Sequence, residues 1–177
     1  MLWRLGDLNP KEKYNKTLRF VSSPLVTPEM IVVPTAKGGA VVALDPKATG
    51  KIDRENTAGQ KWRVNAGTPD VASPLLYEGI VYLSDNSGTL TTLDAATGKG
   101  IYKDRPDKDN HFASPAAGDG KIYLTGRNGT VSVLAAGREF KVLSVNKLAD
   151  PMDASPAISG GRLYLRGAKY LWAVGEK

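Results

Sequence analysis

The chain is 177 residues long, 41% hydrophobic and 24% charged, which is enough material for one well-buried core. It has no cysteine, so disulfides, thiolate catalysis and cysteine-ligated metals are excluded. Its net charge of +6 is scattered rather than blocked, and no apolar run is long enough to span a membrane, so neither nucleic-acid binding nor membrane insertion is expected.

Nineteen glycines and eleven prolines imply frequent turns and short strands. The chain opens on Met1-Leu2-Trp3-Arg4-Leu5, too short an apolar stretch for a signal peptide, and residues 1–5 read as a lone outer strand. A unit over roughly 19–65 follows, marked by Ser23-Pro24. A turn at Pro28-Glu29 leads into a β-branched run at 31–33, a second turn at 37–39 and a third strand at 40–44. Asp45 then opens a turn closed by Thr49-Gly50, in which the Asp side chain takes backbone amides and the glycine supplies a left-handed end. The fourth strand holds Trp62, after an insertion around 52–60.

The second unit, about 68–105, repeats this from Ser73-Pro74. It has a turn at Glu78-Gly79, strands at 80–83 and 90–93, the turn Asp94-Ala95-Ala96-Thr97-Gly98, and Tyr102 in the fourth strand. The third, about 110–146, starts from Ser114-Pro115, and the fourth, about 151–177, from Ser155-Pro156. The serines are 50, 41 and 41 residues apart, and the nine-residue insertion accounts for the longer first interval. Four-stranded antiparallel units at this period are propeller blades, so the fold expected is an all-β propeller with four blades in this chain.

The fourth unit stops after its third strand, and Trp3 resembles Trp62. The simplest expectation is that the N-terminal strand completes the last blade, hiding an open sheet edge. It does so either within one chain, as a four-bladed ring, or between two copies that form an eight-bladed homodimer. The second closure is favoured here, because such blades normally sit in larger rings.

The turns Ala43-Leu44-Asp45…Ala48-Thr49-Gly50 and Thr92-Leu93-Asp94-Ala95-Ala96-Thr97-Gly98-Lys99 resemble the signature of PQQ-like (quinoprotein-like) repeats. The stretches 31–39, 111–115 and 154–158 look like the C-terminal half of PQQ-like repeat proteins of planctomycete-type bacteria. The resemblance covers nearly the whole chain and implies a β-propeller, with an extracytoplasmic or periplasmic setting. Quinoprotein dehydrogenases resemble one another in a vicinal disulfide, which a chain without cysteine lacks. No bound PQQ or other cofactor is therefore expected.

Arg19, Asp70, His111 and Asp153 precede the Ser-Pro pairs, where propeller loops crowd around one mouth of the central channel. A ring of mixed charge there suits a small polar ligand, a metal or a peptide. Equally, Asp70 and Asp153 are placed to tie the loops down. Ser23, Ser73, Ser114 and Ser155 occupy equivalent positions and read as bonds between blades, as Asp45, Gly50, Asp94 and Gly98 read as turn residues. No catalytic set, zinc motif or phosphate loop is present. The function expected is a non-enzymatic binding or scaffolding module that meets a protein or peptide through its loop faces. The alternatives are a degenerate quinoprotein-like propeller that binds a small ligand or metal at the channel mouth, and a self-assembling half-propeller.

Overall fold

The computed structural model describes residues 1–8 and 20–175. Among these residues every regular element is a strand. The strands form four consecutive antiparallel sheets, each with its first strand on one flank and its last on the other, and the chain is a β-propeller.

The first blade is β2 (Leu25–Val26), β3 (Ile31–Pro34), β4 (Val41–Leu44) and β6 (Gln60–Val64). The second is β7 (Leu75–Tyr77), β8 (Ile80–Ser84), β9 (Leu90–Asp94) and β10 (Gly100–Asp104). The third is β11 (Ala116–Gly118), β12 (Lys121–Thr125), β13 (Thr130–Ala135) and β14 (Val142–Lys147). The fourth has three strands, β15 (Ala157–Ser159), β16 (Arg162–Arg166) and β17 (Leu171–Val174). The first hairpin of blade two turns through Glu78 and Gly79, both at positive φ (49° and 73°), as a two-residue turn matched to strand twist requires.

Register places the same residues on the same face of every blade. The pairs Ile31·Leu44, Val81·Leu93, Ile122·Leu134 and Leu163·Val174 form the face toward the preceding blade. The pairs Val32·Ala43, Tyr82·Thr92, Tyr123·Val133 and Tyr164·Ala173 form the face toward the next one. Period-two alternation thus makes each strand apolar on both sides, since both faces of an inner strand are covered. One cluster joins blades one and two through Val32, Ala43 and Trp62 against Val81, Leu83 and Leu93. A second joins blades two and three through Tyr82 and Leu90 against Ile122 and Leu134. A third, smaller, joins three and four through Val131, Met152 and Leu165.

One expectation about the chain ends is corrected. The insertion of blade one contains a strand of its own, β5 (Gly50–Ile52), and the N-terminal strand β1 (Trp3–Leu5) pairs with it in parallel. Within the chain β1 therefore does not complete the fourth blade. The reason is local: the insertion offers a free edge beside blade one, and Trp3 and Leu5 gain an apolar seat on Val42, Leu44 and Ile52. Among the described residues no core cluster joins blade four to blade one.

Candidate functional site

The residues expected at the channel mouth are engaged with their neighbours. Asp70 is buried and accepts bonds from Lys37 Nζ (3.3 Å) in blade one and Asn86 Nδ2 (3.0 Å) in blade two. Asp153 is exposed and takes a two-pronged bond from Arg127, at 2.7 and 3.1 Å, while the Arg127 guanidinium lies 4.1 Å over the Phe112 ring. His111 is wholly buried, with Nε2 3.1 Å from Asp107 Oδ1. Arg19 lies outside the described residues. Each of the three described residues thus has a side-chain partner of its own, and His111 N also donates to Asn86 O, the residue whose Nδ2 bonds Asp70.

The serines link blade to blade. Ser23 N donates to Ser73 Oγ (3.0 Å), Ser73 N to Ser114 Oγ (2.9 Å), and Ser114 N to Ser155 Oγ (2.9 Å). Each hydroxyl thus satisfies a backbone donor of the preceding blade where no ladder partner reaches it.

Sequence reading missed a second set of ties, five residues before Ser73, Ser114 and Ser155: Thr68, Asp109 and Asp150. Thr68 Oγ1 donates to Ala40 O (2.6 Å) and accepts from Thr35 N (3.1 Å). Asp109 accepts from Asn128 N and Nδ2 at 3.0 and 2.8 Å. Asp150 accepts from Lys169 N (3.0 Å), Tyr170 N (2.9 Å) and Trp172 Nε1 (3.2 Å). Burial pushes the Asp150 carboxyl up, but these donors outweigh it and hold it below the ordinary carboxylate range. The 41-residue period that finds the serines also carries this signal.

Asp107 belongs to the same framework. Burial raises its carboxyl, yet the bonds from His111, Ser132 Oγ and Asp109 N win and hold it at about 2. A carboxylate that bonds both a histidine and a serine is not a nucleophilic triad here, because it lies between them and leaves the serine without a base.

Among the described residues, blade four has three strands. Leu171, whose counterparts Val41 and Leu90 are 0% exposed, is 67% exposed, and Ala173 beside it is exposed as well. Among the described residues no strand pairs with the outer edge of β17. Gly167 N donates to Tyr170 O (2.8 Å), and the alternation of an antiparallel ladder from that pair directs the N–H and C=O groups of Leu171 and Ala173 away from β16. On the other side of the blade, a cleft of about 1050 Å³ separates blades three and four. Tyr123, Val133, Leu163 and Val174 line it, with Lys147 and Arg162 also in its wall. Its outer neighbour β14 is exposed along its whole length. The sheet therefore offers an unpaired backbone edge next to apolar side chains, the combination that accepts an added strand.

A family model described as "Outer membrane protein assembly factor BamB" matches residues 11–105. No curated protein matches the chain. Among solved structures, BamB from Moraxella catarrhalis is similar at 14% identity with a TM-score of 0.65, over 85% of this chain and 41% of that one. The computationally designed Ika4 protein is similar at 13% identity and a TM-score of 0.70, over 99% of this chain and 98% of that one. A europium-containing methanol dehydrogenase is similar at 17% identity and a TM-score of 0.56, over 75% of this chain and 25% of that one. The chain thus spans about two fifths of the BamB structure and a quarter of the dehydrogenase, and these likenesses concern the fold.

Proposed function

The chain belongs to the PQQ-like repeat family whose model is described as outer membrane protein assembly factor BamB, and we propose that it acts there as a non-enzymatic binding and scaffolding module. Its ligand is a polypeptide segment in extended form, taken up by strand addition at the open edge of β17. The observation that carries this reading is that, among the described residues, the β17 edge turns unpaired backbone groups outward beside the exposed side chains of Leu171 and Ala173. Main-chain bonds give such a site its affinity, and alternate side chains in the flanking apolar surface give it selectivity.

This moves the expected contact from the loop faces to a blade edge. The loop residues singled out from sequence, Asp70, His111 and Asp153, are already bonded to Lys37 and Asn86, to Asp107, and to Arg127. No step of a cofactor reaction is assigned to this chain.

The test is binding of a fluorescent eight-residue peptide of alternating apolar and hydroxyl residues, followed by anisotropy. Saturable binding is expected for the native chain. Ala173→Pro removes an N–H that the β16 ladder does not use, and it abolishes binding while leaving the fold intact. Binding that survives this substitution, or none in either protein, contradicts the reading.

A further inference from the structure

We propose that a cleft on blade one is a second binding site, for a small polar molecule that carries a phosphate monoester. The cleft, about 580 Å³, is walled by the β3–β4 turn, the blade-one insertion and β6. Thr35, Lys37, Arg54 and Arg63 line it, together with Asp7. It belongs to blade one and uses no residue of the β17 edge, so it stands or falls apart from strand addition.

Two buried polar atoms in this wall lack an answer. Thr35 is 4% exposed, and its Oγ1 has no hydrogen-bond partner among the described residues. Its backbone N–H is already met by Thr68 Oγ1 at 3.1 Å, so the hydroxyl alone is left over. Gly39 keeps that hydroxyl uncovered, since a Cβ there would stand 2.5 Å from it. Arg63 Nη2 reaches Asp7 O at 3.4 Å, a long bond, and its Nη1 is buried with no partner among the described residues. A buried donor without an acceptor is costly, and a charged one more so. An acceptor brought by a ligand satisfies both atoms at once.

Charge says what that acceptor is. Lys37, Arg54 and Arg63 face one carboxylate among the described lining residues, that of Asp7. Asp7 Oδ2 accepts from Arg54 N (2.9 Å), and Lys37 Nζ is drawn to Asp70 (3.3 Å). Neither Arg54 nor Arg63 forms a salt bridge among the described residues. Burial, and then the charge of Arg54, push the Arg63 guanidinium below its ordinary value against the weaker pull of Asp7. A phosphoryl group carries about −1.5 to −2 at neutral pH, which matches two guanidinium groups, and has oxygens for both and for the Thr35 hydroxyl. A carboxylate has half the charge and one oxygen fewer. The volume suits more than a bare ion, since small-molecule sites run to about 300–1,000 Å³. Thr57 and Asn65, also in the wall, are placed for polar groups on the rest of the molecule.

Isothermal titration calorimetry of the full chain at fixed ionic strength tests this, with glycerol 3-phosphate, inorganic phosphate and acetate as probes. Glycerol 3-phosphate is expected to fill one site per chain, more tightly than inorganic phosphate, and acetate to give no saturable heat. Arg63→Gln should weaken the ester about tenfold or more. Lys61→Gln, which removes the same charge from the same strand outside the cleft, should leave binding unchanged. Thr35→Val should also weaken binding about tenfold, yet leave the melting temperature of the ligand-free chain unchanged or raised, because the hydroxyl has no bond to lose. A ligand-free Thr35→Val chain that melts lower, with binding intact, makes the hydroxyl structural and overturns the proposal. Equal losses in Arg63→Gln and Lys61→Gln overturn it as well, since they report only general charge. Inorganic phosphate binding as tightly as the ester removes the ester, and no saturable heat with any probe removes the site.

Discussion

Trp62 offers a sharp test of how blades are held together. Its side chain is 8% exposed, its Nε1 donates to Ala95 O of the next blade at 2.8 Å, and its ring lies on Gly98. Truncation to alanine removes a buried ring of about 150–250 Å², and Trp→Ala changes in cores cost about 3–5 kcal/mol. Gly98 has φ +71°, and a Cβ there would stand 2.7–2.9 Å from three Trp62 ring atoms. Gly98→Ala therefore carries two penalties, about 1 kcal/mol for the left-handed backbone and a further 1–3 kcal/mol for overpacking.

Only the second depends on the indole. In a double-mutant cycle, Gly98→Ala should cost about 2–4 kcal/mol in the native chain and about 1 kcal/mol in the Trp62→Ala background. Urea unfolding followed by far-ultraviolet circular dichroism reads both differences as shifts in midpoint at constant slope. Equal costs for Gly98→Ala in the two backgrounds would refute the argument that the glycine is there to admit the tryptophan.

Two further predictions follow from the buried carboxylates. The Asp107 carboxyl titrates at about 2 when folded, against an ordinary value of 3.8. Because the folded value is depressed, its stabilisation is complete above the ordinary value and is lost as pH falls through about 2. Melting temperatures of the native chain and Asp107→Asn should therefore differ by several degrees at neutral pH and converge toward pH 2, and a pH-independent difference would contradict this. Asp150→Ala removes the acceptor shared by Lys169 N, Tyr170 N and Trp172 Nε1 and should loosen the β16–β17 hairpin before the other blades. Hydrogen exchange should accelerate in residues 162–174 and stay slow in β8 and β9, whereas uniform acceleration would place blade four in the same cooperative unit.

Most of the fold was legible because the repeat is written in local chemistry. Ser-Pro at 23, 73, 114 and 155 marks the inner end of each blade, and the Asp94-to-Gly98 turn, with Asp94 Oδ1 accepting from Thr97 N (3.1 Å), is a purely local structure. Asp45 does the same toward Lys47 N (2.8 Å). The pairing of β1 was not legible, because Trp3 and Gly50 are far apart in sequence and the parallel ladder exists only through the blade-one insertion. Trp3 packs in one cluster with Leu44 of blade one, much as Trp62 packs with Leu93 of blade two, but the strand that carries it does not complete blade four within the chain. The site was harder to read. Asp70, His111 and Asp153 drew attention as charged residues before inner strands, but position alone does not reveal that Lys37, Asp107 and Arg127 meet them. Leu171 and Ala173 look like ordinary core residues in sequence, and only the structure shows that, among the described residues, they are exposed.

Amide exchange at Leu171 and Ala173, measured with and without the eight-residue peptide, tests the central claim most directly. Strand addition at the β17 edge predicts that both amides gain protection together as the peptide saturates. Exchange at the rate of an open edge at every peptide concentration would contradict it.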